Sequence, residues 1–181
     1  ATSIAISAPR QKLSDEEKEA LKAYQTEMQN FGQSEIHPKL LEIKKNFDKS
    51  ISQSDLATLN SLRSKAASER KNNMKQKGQQ KKNMKGNRQA MDSAQKTQFK
   101  NDMQSYKAEL DKIISNNPKQ FEQLKKSLEQ LKNDIQPKID AKHNELLAKY
   151  PVLKDRPNLG QNQVLQRIAT STDAFLLWDG N

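Results

Sequence analysis

The chain has 181 residues, of which 33% are apolar and 5% aromatic, and a formal net charge of +10. That length allows one ordinary domain or two small ones, and so little apolar content excludes a thick globular core. Cysteine is absent, which removes disulfides, thiolate catalysis and cysteine-based zinc sites together.

The mean hydropathy is -1.06. Thin helical layers, each helix burying one stripe, fit such a composition. With Gly 5 and Pro 6, the turn residues a β-sandwich or barrel needs are missing. Lys, Gln, Glu, Ala and Leu dominate, and all favour helix. No run of about 18 apolar residues is present, so no membrane span is expected. The opening Ala1-Thr2-Ser3-Ile4-Ala5-Ile6-Ser7-Ala8-Pro9 is small and uncharged, and reads as a mature end left by a removed leader or as a trimmed terminus.

Ser14-Asp15-Glu16-Glu17 forms a capping-box pattern, in which Ser14 and Glu17 each satisfy the other's amide. Behind it Leu21, Tyr24, Met28 and Phe31 mark an amphipathic helix. Gly32 weakens that helix, and Pro38 ends or kinks it. Leu40, Ile43, Phe47 and Ile51 resume the stripe. Ser52 or Ser54 caps the next helix, whose apolar face is Leu56, Leu59, Leu62 and Ala66.

Between positions 70 and 91 there is no acidic residue and no Leu, Ile, Val or aromatic. The stretch carries Arg70, Lys71, Lys75, Lys77, Lys81, Lys82, Lys85 and Arg88, with Met74, Met84 and Met91 as its large apolar residues. A segment that buries so little is expected to be a flexible loop or a frayed helix end.

Helical pattern returns at Phe99, Met103, Tyr106, Leu110 and Ile113 or Ile114. Asn117 and Pro118 stop that helix and start another. Phe121, Leu124, Leu128, Leu131 and Ile135 follow at spacings of three and four, and Pro137 is expected to kink the run before Tyr150. The sextets Glu35–Leu40 and Asp134–Ile139 resemble each other, which suggests one kinked hairpin in each half. Pro151, Pro157 and Gly160 mark a loop, and Val164, Leu165 and Ile168 a short helix. The chain closes on Phe175-Leu176-Leu177-Trp178, which either seals one end of the bundle or docks a partner.

Catalytic and metal patterns are sparse. His37 and His143 have no nucleophile-elbow sequence beside them. Asp140 and Glu145 near His143 do not make a zinc signature. No glycine-rich phosphate loop is present, and no cofactor is expected. The basic run lacks the aromatics that stack on bases, so specific nucleic-acid binding is not expected. Methionine adapts to varied apolar partners and lysine attracts acidic chains, so residues 70–91 are the candidate client-binding surface.

Leu13-Ser14-Asp15-Glu16-Glu17 resembles the LTxxQ motif of the Spy/CpxP family of helical periplasmic chaperones and stress proteins, with serine for threonine and glutamate for glutamine. Tyr24, Ile36-His37-Pro38, Ile51-Ser52-Gln53-Ser54-Asp55-Leu56 and Leu59-Asn60-Ser61-Leu62-Arg63 extend the likeness to a longer, Bacteroidetes-type branch, over positions 13 to 66. The resemblance implies an exported all-helical protein that holds unfolding clients without ATP on a basic, partly apolar surface, and a homodimer.

The expectation is therefore an all-α, non-enzymatic chain of long kinked helices in hairpins. It divides into a mature N-terminus at 1–12, an LTxxQ-like hairpin at 13–69, a basic segment at 70–91, a second hairpin at 92–150, and a C-terminal loop and apolar tail at 151–181. Unfolded or acidic proteins are the expected partners. A helical adaptor with one specific partner, docked through Phe175 to Trp178, is the alternative.

Overall fold

A computed structural model describes residues 12–83, 93–156, 159 and 172–181, with the backbone alone over 73–83, 93–100, 102 and 103. All elements among these residues are helical. They are α1 (Asp15–Phe31), a π-helical turn (Gly32–Ile36), α2 (His37–Ser50), α3 (Gln53–Asn83), α4 (Ser93–Asn116), α5 (Pro118–Lys149), a 3-10 turn (Pro151–Leu153) and α6 (Thr172–Leu176). No helix among the described residues is long and apolar enough to cross a membrane.

The local signals act as the residues dictate. The Glu17 amide donates to Ser14 Oγ at 3.1 Å, and the Ser14 amide to Glu17 Oε2 at 2.7 Å, which completes the capping box of α1. The Asp55 amide donates to Ser52 Oγ at 3.1 Å and so caps α3. Asn117 sits between α4 and α5 with Pro118 in the first turn of α5, as expected, but its side chain does not cap α5. That amide points elsewhere, as described below.

The helix does not stop at Pro38. The His37 amide donates to the Gly32 carbonyl, five residues back, and α2 continues directly from that turn. Proline has no amide proton and its ring clashes with the carbonyl four residues earlier. A π turn just upstream shifts the carbonyl register at that point. It also re-phases the stripe. Met28 and Ile36 are eight residues apart, about 80° out of phase on a regular α-helix, yet both are buried. Absorbing one residue brings the spacing close to seven, about 20° from in-phase. Pro137 lies inside α5, which runs on to Lys149. It is exposed, so the carbonyl it leaves unpaired faces water.

The main helix pairs join the two halves of the chain. The most extensive packing is of α2 on α5, then of α3 on α4, with α1 also against α5 and the 3-10 turn. Both pairs are antiparallel. Along the continuous run of α1, the π turn and α2 against α5 and the turn after it, Arg156 meets Glu17 at 2.8 Å, His143 meets Tyr24 at 2.6 Å, Lys138 meets Glu35 at 3.4 Å, and Ile43 and Phe47 of α2 face Leu124 and Ser127 across one cleft. Along the second, Asn117 meets Asp55 at 2.8 Å, and Lys65 lies 5.5 Å from the Tyr106 ring centre. The main helix pairs thus run between the two halves that were each expected to form a hairpin. The two similar sextets are each other's neighbours, with Ile36 and Leu40 buried from one, and Ile135 and Ile139 from the other.

Of the two readings of 70–91, a loop or a helix end, the helix holds over the first part, since α3 continues to Asn83. Lys, Gln and Met are strong helix formers, and one interior glycine costs only about 1 kcal/mol. The helix is already nucleated by its packed N-terminal half, and residues 70–83 propagate it. The remainder, 84–91, lies outside the described residues.

One core runs through the molecule. It joins Tyr24, Met28, Ile36, Leu40 and Phe47 to Leu59 and Ala66, to Tyr106, Leu110 and Ile113, and to the α5 stripe Leu124, Leu128, Leu131, Ile135, Ile139 and Leu146. Leu153, Leu159, Phe175, Leu176 and Leu177 complete it. Fully burying one such side chain contributes roughly 1.5–3 kcal/mol, so a single stripe on each helix suffices. Leu41, at 38% exposure, is the one large apolar side chain left exposed among the described residues. Among the described residues the apolar stripes are otherwise covered within the chain.

Candidate protein-binding surface

The expected client-binding residues divide into three groups. Arg70 and Lys71 are exposed on α3. Met74, Lys75, Lys77, Lys81 and Lys82 lie further along the same helix, and Met84, Lys85, Arg88 and Met91 fall outside the described residues. The register of α3 on α4 adds to them. Since Lys65 meets Tyr106, the antiparallel pairing places Lys96 and Lys100 of α4 at the same end as Lys71 and Lys75. Residues 70–101 hold ten Lys or Arg and one acid, Asp92. Nine of the ten net charges therefore belong to this end of one helix pair and the chain that joins it.

Arg70 has a second role that the charge pattern hides. Its Nη2 donates to the Leu177 carbonyl at 3.0 Å. One of the supposed capture residues thus anchors the C-terminal segment.

That segment is not a free hook. Phe175, Leu176 and Leu177 are buried, with Leu176 wholly so, and α6 packs on α4. Trp178 is half-buried, edge-on to His37 at 5.5 Å between ring centres and 5.9 Å from Phe175. Phe175, Leu176, Leu177 and Trp178, the expected docking residues, have their side chains occupied within the chain. The segment lies in a crook that α2 lines with His37 and Leu41, α3 with Arg63 and Arg70, and α4 by its packing on α6.

Arg63 holds that crook together and was missed in the sequence. It is 3% exposed. Its Nη1 and Nη2 donate to the two carboxylate oxygens of Asp48 at 2.8 and 2.9 Å, its Nη1 also to Asn60 Oδ1 at 3.1 Å, and its Nε to the Leu176 carbonyl at 2.8 Å. Lys44 adds a 3.3 Å contact to Asp48. A buried guanidinium requires such saturation, because an unpaired charge there is severely penalised. The signal was present: Leu59, Arg63, Ala66 and Arg70 recur at spacings of four, three and four, so both arginines occupy stripe positions.

The outer end of the α1–α5 pair carries a polar cluster. Tyr24, fully buried, shares a 2.6 Å hydrogen bond with His143 Nδ1, and burial pushes its hydroxyl up to about 12. Beside it Glu27 accepts from Lys149 and from the Tyr150 hydroxyl at 2.8 Å, with Lys142 at 3.8 Å. Lys149, then Tyr150, hold the Glu27 carboxyl below its usual range, and Glu27 in turn holds Lys149 above its own. Arg156, then the Ser14 amide, lower Glu17 in the same way. Among the described residues no group of three His, Cys, Asp or Glu side chains is placed to hold a metal ion.

A half-open cleft of about 260 Å³ lies between α2 and α5. Ile43, Phe47 and Leu124 give it an apolar floor, with Lys119 and several amides and hydroxyls at its rim.

No family model, curated protein or solved structure matches the chain.

Proposed function

We propose that this chain is a non-enzymatic binding protein of the cell envelope that holds unfolded or partly folded, acidic client proteins without ATP. The observation that carries this reading is the concentration of charge. Residues 70–101 hold a net +9, while the remaining chain is close to neutral and pairs its own charges along α1 and α5. A dense basic surface on an extended helix pair attracts acidic chains from a distance and imposes no shape on them. Methionines among the lysines supply adaptable apolar contact.

The likeness of Leu13–Glu17 to the LTxxQ motif supports the same reading. Those motif residues form a hydrogen-bonded capping box at the head of α1. The adaptor alternative loses its main motif, since the apolar tetrad is held inside the chain.

The test is suppression of aggregation of three unrelated denatured proteins, followed by light scattering without nucleotide. Protection of at least two, weakened in high salt, is the expected result. Protection of none, with stable capture of a single partner, would establish the adaptor instead. Retention of nucleic acid but no protein client would redirect the basic surface to phosphate.

A further inference from the structure

The C-terminal segment occupies a site whose chemistry is general. Phe175, Leu176 and Leu177 insert apolar side chains between α2, α3 and α4, and Trp178 closes the edge against His37. The polar contacts from Arg63 and Arg70 reach only main-chain carbonyls, those of Leu176 and Leu177. Arginines aimed at the last carbonyls of a helical turn also suit its negative end. Any segment with three or four successive large apolar residues could satisfy both kinds of contact.

The receptor is preformed. Asp48 and Asn60 fix the Arg63 side chain whether or not a carbonyl is present. The occupant, by contrast, contributes little of its own. α6 has five residues, and helices shorter than about 12–15 residues are marginal alone in water.

We propose that the crook between α2, α3 and α4 is a peptide-binding groove, filled in cis by residues 172–181, that accepts in their place an apolar run of a client chain. This rests on the proposed client-binding function and names the segment of the client that is read. The basic end of α3 and α4 would gather the client, and the groove would grip it. A covalently joined segment has an effective concentration on the order of 1 mM when its linker spans the site. If its intrinsic dissociation constant is near 10 μM, it fills the groove about 100:1, and an external segment binds about 100-fold more weakly than to an empty groove.

The experiment uses a fluorescent peptide of residues 172–181 and a control with Phe175, Leu176 and Leu177 replaced by serine. Binding is measured to the full chain, to a chain ending at Ser171, and to the L41C/G180C variant. The last exploits a close approach: a side-chain carbon on Gly180 would lie 3.3 Å from Leu41 Cδ2. Because Gly180 has a φ of 100°, a cysteine there strains the backbone in the oxidised and reduced forms alike, so the readout is the difference between those two forms. The chain has no other cysteine, so oxidation staples the tail specifically. The expected result is at least ten-fold tighter peptide binding by the shortened chain, no binding of the serine control, and loss of binding on oxidising the stapled variant with recovery on reduction. Should the shortened chain lose its helical circular dichroism, the oxidised and reduced stapled forms decide alone. Equal binding by those two forms, or none by a folded shortened chain, overturns the proposal. So does a dimer that exchanges tails, which would make the occupant a second copy. Peptide binding without protection of aggregating clients would retain the groove and reject the client-holding function.

Discussion

Asp55, in the first turn of α3, accepts a 2.8 Å hydrogen bond from the side-chain amide of Asn117, the residue that separates α4 from α5. The two interruptions of the long helices therefore lie side by side. Asn116 adds a 3.3 Å contact to the same carboxylate, and Asn117 also donates to the Ile113 carbonyl at 2.8 Å. Asn117 is buried, so Asn117→Ala leaves polar groups without their donor. It is expected to lower unfolding stability by roughly 1–3 kcal/mol. Urea titration checks this, with a shifted midpoint and an unchanged slope. Adding Asp55→Ala should cost less in that background than in the native chain, because the shared bond is already gone.

Arg63→Ala is expected to cost about 3–5 kcal/mol, since it leaves Asp48 with only the longer Lys44 contact and removes the donor to the Leu176 carbonyl. Arg63→Lys should recover only part of this, because a point charge cannot serve both carboxylate oxygens and the carbonyl. Trp178 is the sole tryptophan and lies on the segment that Arg63 holds. Its fluorescence should shift in both variants under conditions where circular dichroism still reports native helix. No shift in Arg63→Ala would mean that the clamp does not position the tail.

Stability is expected to plateau between roughly pH 5 and 10 and to fall on both sides. Glu17, Glu27 and Asp55 have lowered carboxyl values in the folded chain, through Arg156, Lys149 and Asn117 respectively. Their contribution is present above the ordinary carboxylate range and is lost as pH falls through the folded values. Lys149 and Tyr24 are raised, by Glu27 and by burial. Theirs is present below the unfolded values of 10.5 and 10.0 and is lost as pH rises, for Tyr24 toward about 12. Melting temperature against pH checks this, and Tyr24→Phe should flatten the alkaline limb. An unchanged limb would show that Tyr24 does not contribute to it.

Replacing Lys75, Lys77, Lys81, Lys82 and Lys85 with glutamine should slow capture of acidic clients at low salt and change it little at 1 M. Screening shortens the Debye length from about 10 Å at 0.1 M to about 3 Å at 1 M. Glutamine matches lysine as a helix former, so the helical signal should hold and stability should move by no more than about 0.5 kcal/mol. Stopped-flow association rates at two salt concentrations measure the effect. Equal rates for the variant and the native chain at low salt would place capture elsewhere.

Sequence alone determined what acts within a few residues. The capping box at Ser14, the stripes of α1 and α5, the break at Asn117 and the all-helical class follow from side-chain period and local hydrogen bonding, which operate over one or two turns. Tertiary structure decided what depends on distant partners. The paired sextets could equally have made two separate hairpins, because an apolar stripe does not specify which other stripe covers it. The basic residues 70–83 read as a loop or a frayed helix end, and helix propagates through them from a nucleus packed on α4. Arg63 takes its role only when the fold brings Asp48 and the Leu176 carbonyl around it. The apolar tetrad read as a plug or a hook, and its burial against α4, with its carbonyls held by Arg63 and Arg70, made it a plug.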